Sequence, residues 1–276
     1  MAAPVPIARD RVERARPMPD SLVRPSSFAV LVLTVACVAR AGESAAGLPP
    51  DQPLGQLAWI LAPAVLGVAF RATDPLLRGE RPFRVRGVGG PVILAVLGAF
   101  CVVAAVTGLG LATGGLRAPT VSVDPAPVLA LAAAAVVPSA LEEVGWRGYL
   151  APALLARTGY WRTVALAALV WFAWHLPFLD RLTLYTDEPM ITLVPRLAVG
   201  VLALQVLFTE VWLATRSVWV AAALHGAFNV AAGGAFGAGL ALAGRGWIVS
   251  PSADGPVLMA LAAAAGLWLR RKRTRG

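Results

Sequence analysis

A chain of 276 residues that is 58% hydrophobic and 14% charged, with a mean hydropathy of +0.72, is too apolar for a soluble globular domain, where the apolar share is about 45 to 50%. Its net charge of +9 does not call for a nucleic-acid partner, because the arginines fall in short clusters beside apolar runs, the pattern of cytoplasmic loops in a membrane protein. The two cysteines, Cys37 and Cys101, sit in separate apolar runs, which excludes a disulfide framework and a paired-cysteine metal site and leaves them as packed small apolar residues.

Residues 1–25 carry Arg9, Arg11, Arg14, Arg16 and Arg24 among five prolines and read as a disordered basic cytoplasmic arm. The first apolar run, Ser26 to Ala41, is taken as a retained helix, since the basic stretch before it is long for a signal peptide even though Ala39-Arg40-Ala41 resembles a cleavage site. Leu54 to Phe70 and Pro91 to Leu111 form the second and third spans, separated by a loop with Arg71, Arg78, Arg81, Arg84 and Arg86. The fourth span runs from Pro127 to about Trp146 and delivers Arg147, Arg157 and Arg162 to the arginine-rich side. Thr163 to Leu179, Ile191 to Thr215, Ser217 to Ala243 and Pro256 to Leu269 complete the set, and residues 270–276 form a basic cytoplasmic tail.

This predicts an all-α, polytopic transmembrane bundle of about eight helices over residues 26–269, with both termini in the cytoplasm and every basic cluster on one side of the cytoplasmic (plasma) membrane. No internal repeat is evident.

The chemistry concentrates in three places. Glu142 and Glu143 follow an uncharged run, and a carboxylate at bilayer depth costs about 2.5 to 3.5 kcal/mol on insertion scales, so it marks a functional site by default. Successive helical residues point about 100° apart, so the two glutamates have different roles. Glu143 stands four residues before Arg147, the favourable order for a helix ion pair, which leaves Glu142 as the unpaired carboxylate and a candidate general base. The chain's only two histidines, His175 and His225, both lie inside apolar spans. His225 and Asn229 share one helix face, a turn apart. His175 is crowded by Trp171, Phe172 and Trp174, and Pro177 breaks its helix just beyond. Glu210 is a further buried carboxylate, read as a structural partner of Arg216.

Glu142, His175, His225 and Asn229 therefore compose either a metal-free site or a metal centre. In the first, Glu142 and His175 activate water while His225 and Asn229 hold an oxyanion. In the second, Glu142, His175 and His225 bind a divalent ion such as zinc. The residues alone leave both open, since no His-Glu-x-x-His signature is present.

At these positions the chain resembles the CPBP family of intramembrane proteases, which includes the type II CAAX prenyl endopeptidases and the Abi and lysostaphin resistance protein A-like proteins. That family's pattern is Glu-Glu-x-x-x-Arg, then Phe-x-x-x-His, then His-x-x-x-Asn. Glu142, Glu143 and Arg147 meet the first element and His225 with Asn229 the third, while Trp171 stands where the second has phenylalanine before His175. The resemblance covers residues 128–230. It implies an intramembrane endopeptidase acting on a membrane-associated protein or peptide, with Glu142 and His175 activating water, His225 and Asn229 holding the oxyanion, and Glu143 and Arg147 supporting them. Either a metal or a metal-free glutamate mechanism fits the family. The competing readings of the same groups are a proton-coupled transporter, disfavoured by the absence of repeats, and a catalytically silent membrane scaffold.

Overall fold

A computed structural model describes residues 22–47, 54–119, 125–182 and 186–275. Most of the predicted basic arm, residues 1–21, lies outside the described residues. Eight α-helices of 16 residues or more make up the molecule: α1 Val23–Ala45, α2 Leu54–Thr73, α3 Gly89–Ala112, α4 Pro125–Gly145, α5 Tyr160–His175, α6 Met190–Thr215, α7 Val218–Gly237 and α8 Pro256–Arg275. The protein is an all-α bundle, and among the described residues five helices, α1, α2, α3, α6 and α7, are long and apolar enough to cross a membrane by themselves. The only strands described are two-residue segments, Leu116–Arg117 and Ala241–Leu242, which pair antiparallel.

Four boundaries depart from the sequence reading. α1 starts at Val23, ahead of Ser26, because Pro25 falls in the first turn, where a missing N–H costs no intrahelical bond. The fourth span does not end near Trp146. Beyond α4 the chain continues through one π-helical turn, Trp146–Leu150, closed by a bond from Ala151 N–H to Trp146 O, and then through a helical turn at Ala151–Leu155. Pro152 lies in that stretch, yet the helical path runs on to Leu155, so Glu142 lies about 20 Å along the axis from the end of its helix at a rise of about 1.5 Å per residue. The seventh span ends at Gly237, earlier than Ala243. The predicted tail from 270 is helical through Arg275.

The end of α5 follows the expectation. Pro177 cannot continue an α-helix, so α5 stops at His175 and gives way to a 3-10 turn, Leu176–Phe178. Cys37 and Cys101, by contrast, face outward on α1 and α3, so they are not packed inside the bundle.

α4 sits centrally, packed between α7 and α2. α1 packs on α2, α3 on α7, and α6 bridges α5 and α8. The α2–α4 crossing is very close. A Cβ on Gly145 would lie 2.5 Å from Pro63 O, and one on Gly67 would lie 2.8 Å from the Gly145 Cα. Small residues let helices approach in this way where lipid supplies no hydrophobic drive. The buried core is aromatic, with Trp59 stacked between Trp174 at 4.3 Å and Phe178 at 4.7 Å, and Phe28, Trp146 and Tyr149 packed nearby.

The loops sort the charges by end. At one end the buried pair Asp74–Arg157, 2.8 Å, joins the 71–90 loop to the turn before α5, and Ser217 donates to Arg84 O. The same end holds Glu210, which accepts from Arg273 at 2.8 Å and lies 3.7 Å from Arg270, while Arg270 covers the Tyr160 ring. Glu210 is thus held by α8 rather than by Arg216, whose guanidinium lies over Trp212 instead. At the opposite end Arg40 pairs with Asp180 and Arg196 with Glu188 and Asp254. The arginine-rich loops therefore share one face of the bundle.

Candidate active site

The site lies where α4, α5, α6 and α7 meet, and it is built on the helical phase of two neighbouring glutamates. Glu143 points at α7 and at its own helix. Its Oε1 accepts from Arg147 at 2.9 Å and faces His225 Nδ1 at 3.1 Å. Both Glu143 and Arg147 are fully buried, and the second guanidinium nitrogen of Arg147 donates to Gln205 Oε1 at 2.9 Å, with Gln205 in turn donating to Thr209. One turn earlier on α4, Ser139 Oγ accepts from Asn229 Nδ2 at 2.9 Å. Two polar rungs, Glu143–His225 and Ser139–Asn229, each stepped by four residues on both helices, therefore lock α4 and α7 antiparallel.

Glu142 turns away from that seam toward α5. Its Oε2 accepts from Trp171 Nε1 at 2.9 Å and from Trp146 Nε1 at 3.3 Å. Both donors are neutral, so Glu142 has hydrogen bonds without the cation that Glu143 has. Trp171 is the hub of the cluster. Its carbonyl faces His175 Nδ1 at 2.8 Å, its ring lies 6.0 Å from His175 and 5.5 Å from His225, and the Arg147 guanidinium sits over its face at 5.0 Å. Phe208 completes the wall, 5.5 Å from His225 and 4.7 Å from the Arg147 guanidinium carbon.

These contacts assign the tautomers. A backbone carbonyl can only accept, so His175 carries a proton on Nδ1, and in the neutral ring Nε2 is the bare nitrogen. A carboxylate likewise accepts from His225 Nδ1, so His225 can donate through Nε2 only as the imidazolium.

All six site residues read from the sequence, Glu142, Glu143, Arg147, His175, His225 and Asn229, belong to this one neighbourhood. The ion pair expected between Glu143 and Arg147 is present, and His175 is joined to Glu142 through Trp171. The metal set considered from the sequence, Glu142, His175 and His225, is not gathered for coordination: among the described residues no three His, Cys, Asp or Glu side chains group as metal ligands. Sequence reasoning passed over Gln205 and Ser139, and it treated Trp171 only as an aromatic wall. Gln205 had a usable signal, as an amide within the long apolar run of α6.

A polytopic helical bundle that carries a glutamate pair and two histidines in its interior belongs among membrane proteins with an intramembrane polar site. Residues 124–231 match the family model described as Rce1-like, type II CAAX prenyl endopeptidase, which takes in all six site residues and nearly coincides with the 128–230 stretch that carried the resemblance. No curated protein matches the chain.

Proposed function

We propose that this protein is an intramembrane endopeptidase that hydrolyses a peptide bond of a membrane-associated protein or peptide, with its arginine-rich face and both termini in the cytoplasm. The observation that supports this most is the division of labour between the glutamates. Glu143 is occupied by Arg147 and His225, while Glu142 is held at one oxygen by two indoles and has no ion pair among the described residues.

In this reading Glu142 Oε1 takes a proton from water while the bare Nε2 of His175 accepts a hydrogen bond from the water's other hydrogen, and the water oxygen forms its bond to the scissile carbonyl carbon. The oxyanion of the tetrahedral intermediate is met by Nε2–H of imidazolium His225 and by the amide N–H of Asn229 that does not serve Ser139. The C–N bond then breaks, and the proton held by Glu142 passes to the departing amine. Glu143 and Arg147 do not touch the substrate; they fix His225 and the end of α4.

The test uses purified protein in liposomes with two peptides, one farnesylated at a CAAX terminus and one not, cleavage being followed by mass spectrometry. Glu142→Gln and His225→Ala abolish cleavage with helical content unchanged. A fully active Glu142→Gln protein ends the reading, and cleavage of the prenylated peptide alone defines the substrate class.

A further inference from the structure

We propose that Trp171 is a positioning residue for Glu142, its indole N–H pinning one carboxylate oxygen so that the other faces the attacking water; this rests on Glu142 being the base. The bond from Trp171 Nε1 to Glu142 Oε2 is 2.9 Å long, joins two helices, and is made by a ring that is only 3% exposed. A charge-assisted hydrogen bond in such a dry setting is strong and directional. Trp146 also donates to Oε2, but at 3.3 Å and from the next turn of the same helix, so it cannot register α4 against α5.

Three further contacts fall on the same side chain. The Arg147 guanidinium over its face at 5.0 Å draws on the indole π-system and strengthens the N–H as a donor. Its ring edges meet both histidines, so the orientation that delivers the N–H also sets the spacing between Glu142 and the two imidazoles. Phenylalanine at this position keeps an aromatic wall and supplies no donor. A wall role and a donor role therefore make opposite predictions for the same substitution.

Two arms test this. In the first, the indole N–H of Trp171 is assigned by 15N–1H spectroscopy of labelled protein, through its loss in Trp171→Phe. Its proton resonance moves upfield in Glu142→Ala; an unmoved resonance overturns the proposal without any substrate. In the second, Trp171 is replaced by phenylalanine and, separately, by 3-benzothienylalanine, which keeps the bicyclic shape and lacks the N–H. With the farnesylated peptide in liposomes, both replacements lower kcat about 10- to 100-fold, the range of a hydrogen bond to a charged group, and leave KM unchanged. Full kcat in the benzothienyl protein overturns the proposal, even if Trp171→Phe loses activity through a packing defect. Full activity of Glu142→Gln instead overturns the reading of Glu142 as the base, so the two failures are distinct.

Discussion

Replacing Glu143 by leucine separates the two glutamates most sharply. The substitution removes the partner of Arg147, a guanidinium with no exposed surface, and takes the acceptor from His225 Nδ1 in the same step. Breaking a buried pair on one side costs about 3 to 5 kcal/mol because the remaining charge has no counter-ion. Gln205 offsets part of this by keeping its 2.9 Å bond to Arg147, whereas the stranded histidine nitrogen adds about 1 to 3 kcal/mol. Against a total stability of about 5 to 15 kcal/mol, Glu143→Leu is at the edge of folding. Arg147→Met removes the stranded charge, so the Glu143→Leu/Arg147→Met protein is more stable than Glu143→Leu alone by about 2 kcal/mol or more. Unfolding in mixed micelles, followed by tryptophan fluorescence with SDS as denaturant, measures all three proteins and the parent. Glu142→Gln, which keeps an acceptor for both indoles and disturbs no ion pair, unfolds within about 1 kcal/mol of the parent. If the double variant shows the sum of the two single losses, the buried-charge argument is wrong.

Three other outcomes follow from contacts away from the reacting atoms. Gly145→Ala drives a methyl group to 2.5 Å from the Pro63 carbonyl and prevents stable folding, whereas Gly226→Ala meets Val136 Cα at 3.6 Å and is tolerated; yields of monodisperse protein after detergent extraction show the difference. Glu210→Ala frees Arg273 and Arg270, which are partly exposed, so the end of α8 opens about five-fold more often and is trimmed by trypsin correspondingly faster. The hydrogen bonds from Arg196 hold the Glu188 carboxyl below the usual glutamate range, so the stability of this contact is present above that range and lost as pH falls through it; the loss on acidification disappears in Glu188→Gln.

The helices were legible because apolar runs and arginine clusters are local signals, and all eight helices start within three residues of where those runs were drawn. Their ends were less so. The fourth span looked complete at Trp146 because Arg147 was read as reaching the cytoplasmic side, but Arg147 is neutralised in place by Glu143, donates to Gln205 and stays buried. A charge that finds a partner inside does not mark an interface, and the second acceptor, Gln205, comes from α6, which is remote in sequence. The split between Glu142 and Glu143 was readable from helical phase alone. The partners of Glu142 were not, since an indole N–H carries no periodicity and its direction depends on how α5 rotates against α4. The same holds for Glu210, where the nearby Arg216 was the natural expectation and α8 supplied the partner.

The α4–α7 seam also constrains how the proposed chemistry is reached. Glu143–His225 and Ser139–Asn229 close that seam with two hydrogen-bonded rungs, so parting it would strand polar groups in an apolar medium. A peptide that approaches Glu142 without that cost comes from the side away from the seam and leaves the Trp171–Glu142 bond made. From there Asn229 need not release Ser139, because its amide nitrogen has a second N–H, and His225 keeps Glu143 on Nδ1 while Nε2 turns to the substrate. In the proposed chemistry the rungs then act as a fixed backing that orients both oxyanion donors before substrate arrives.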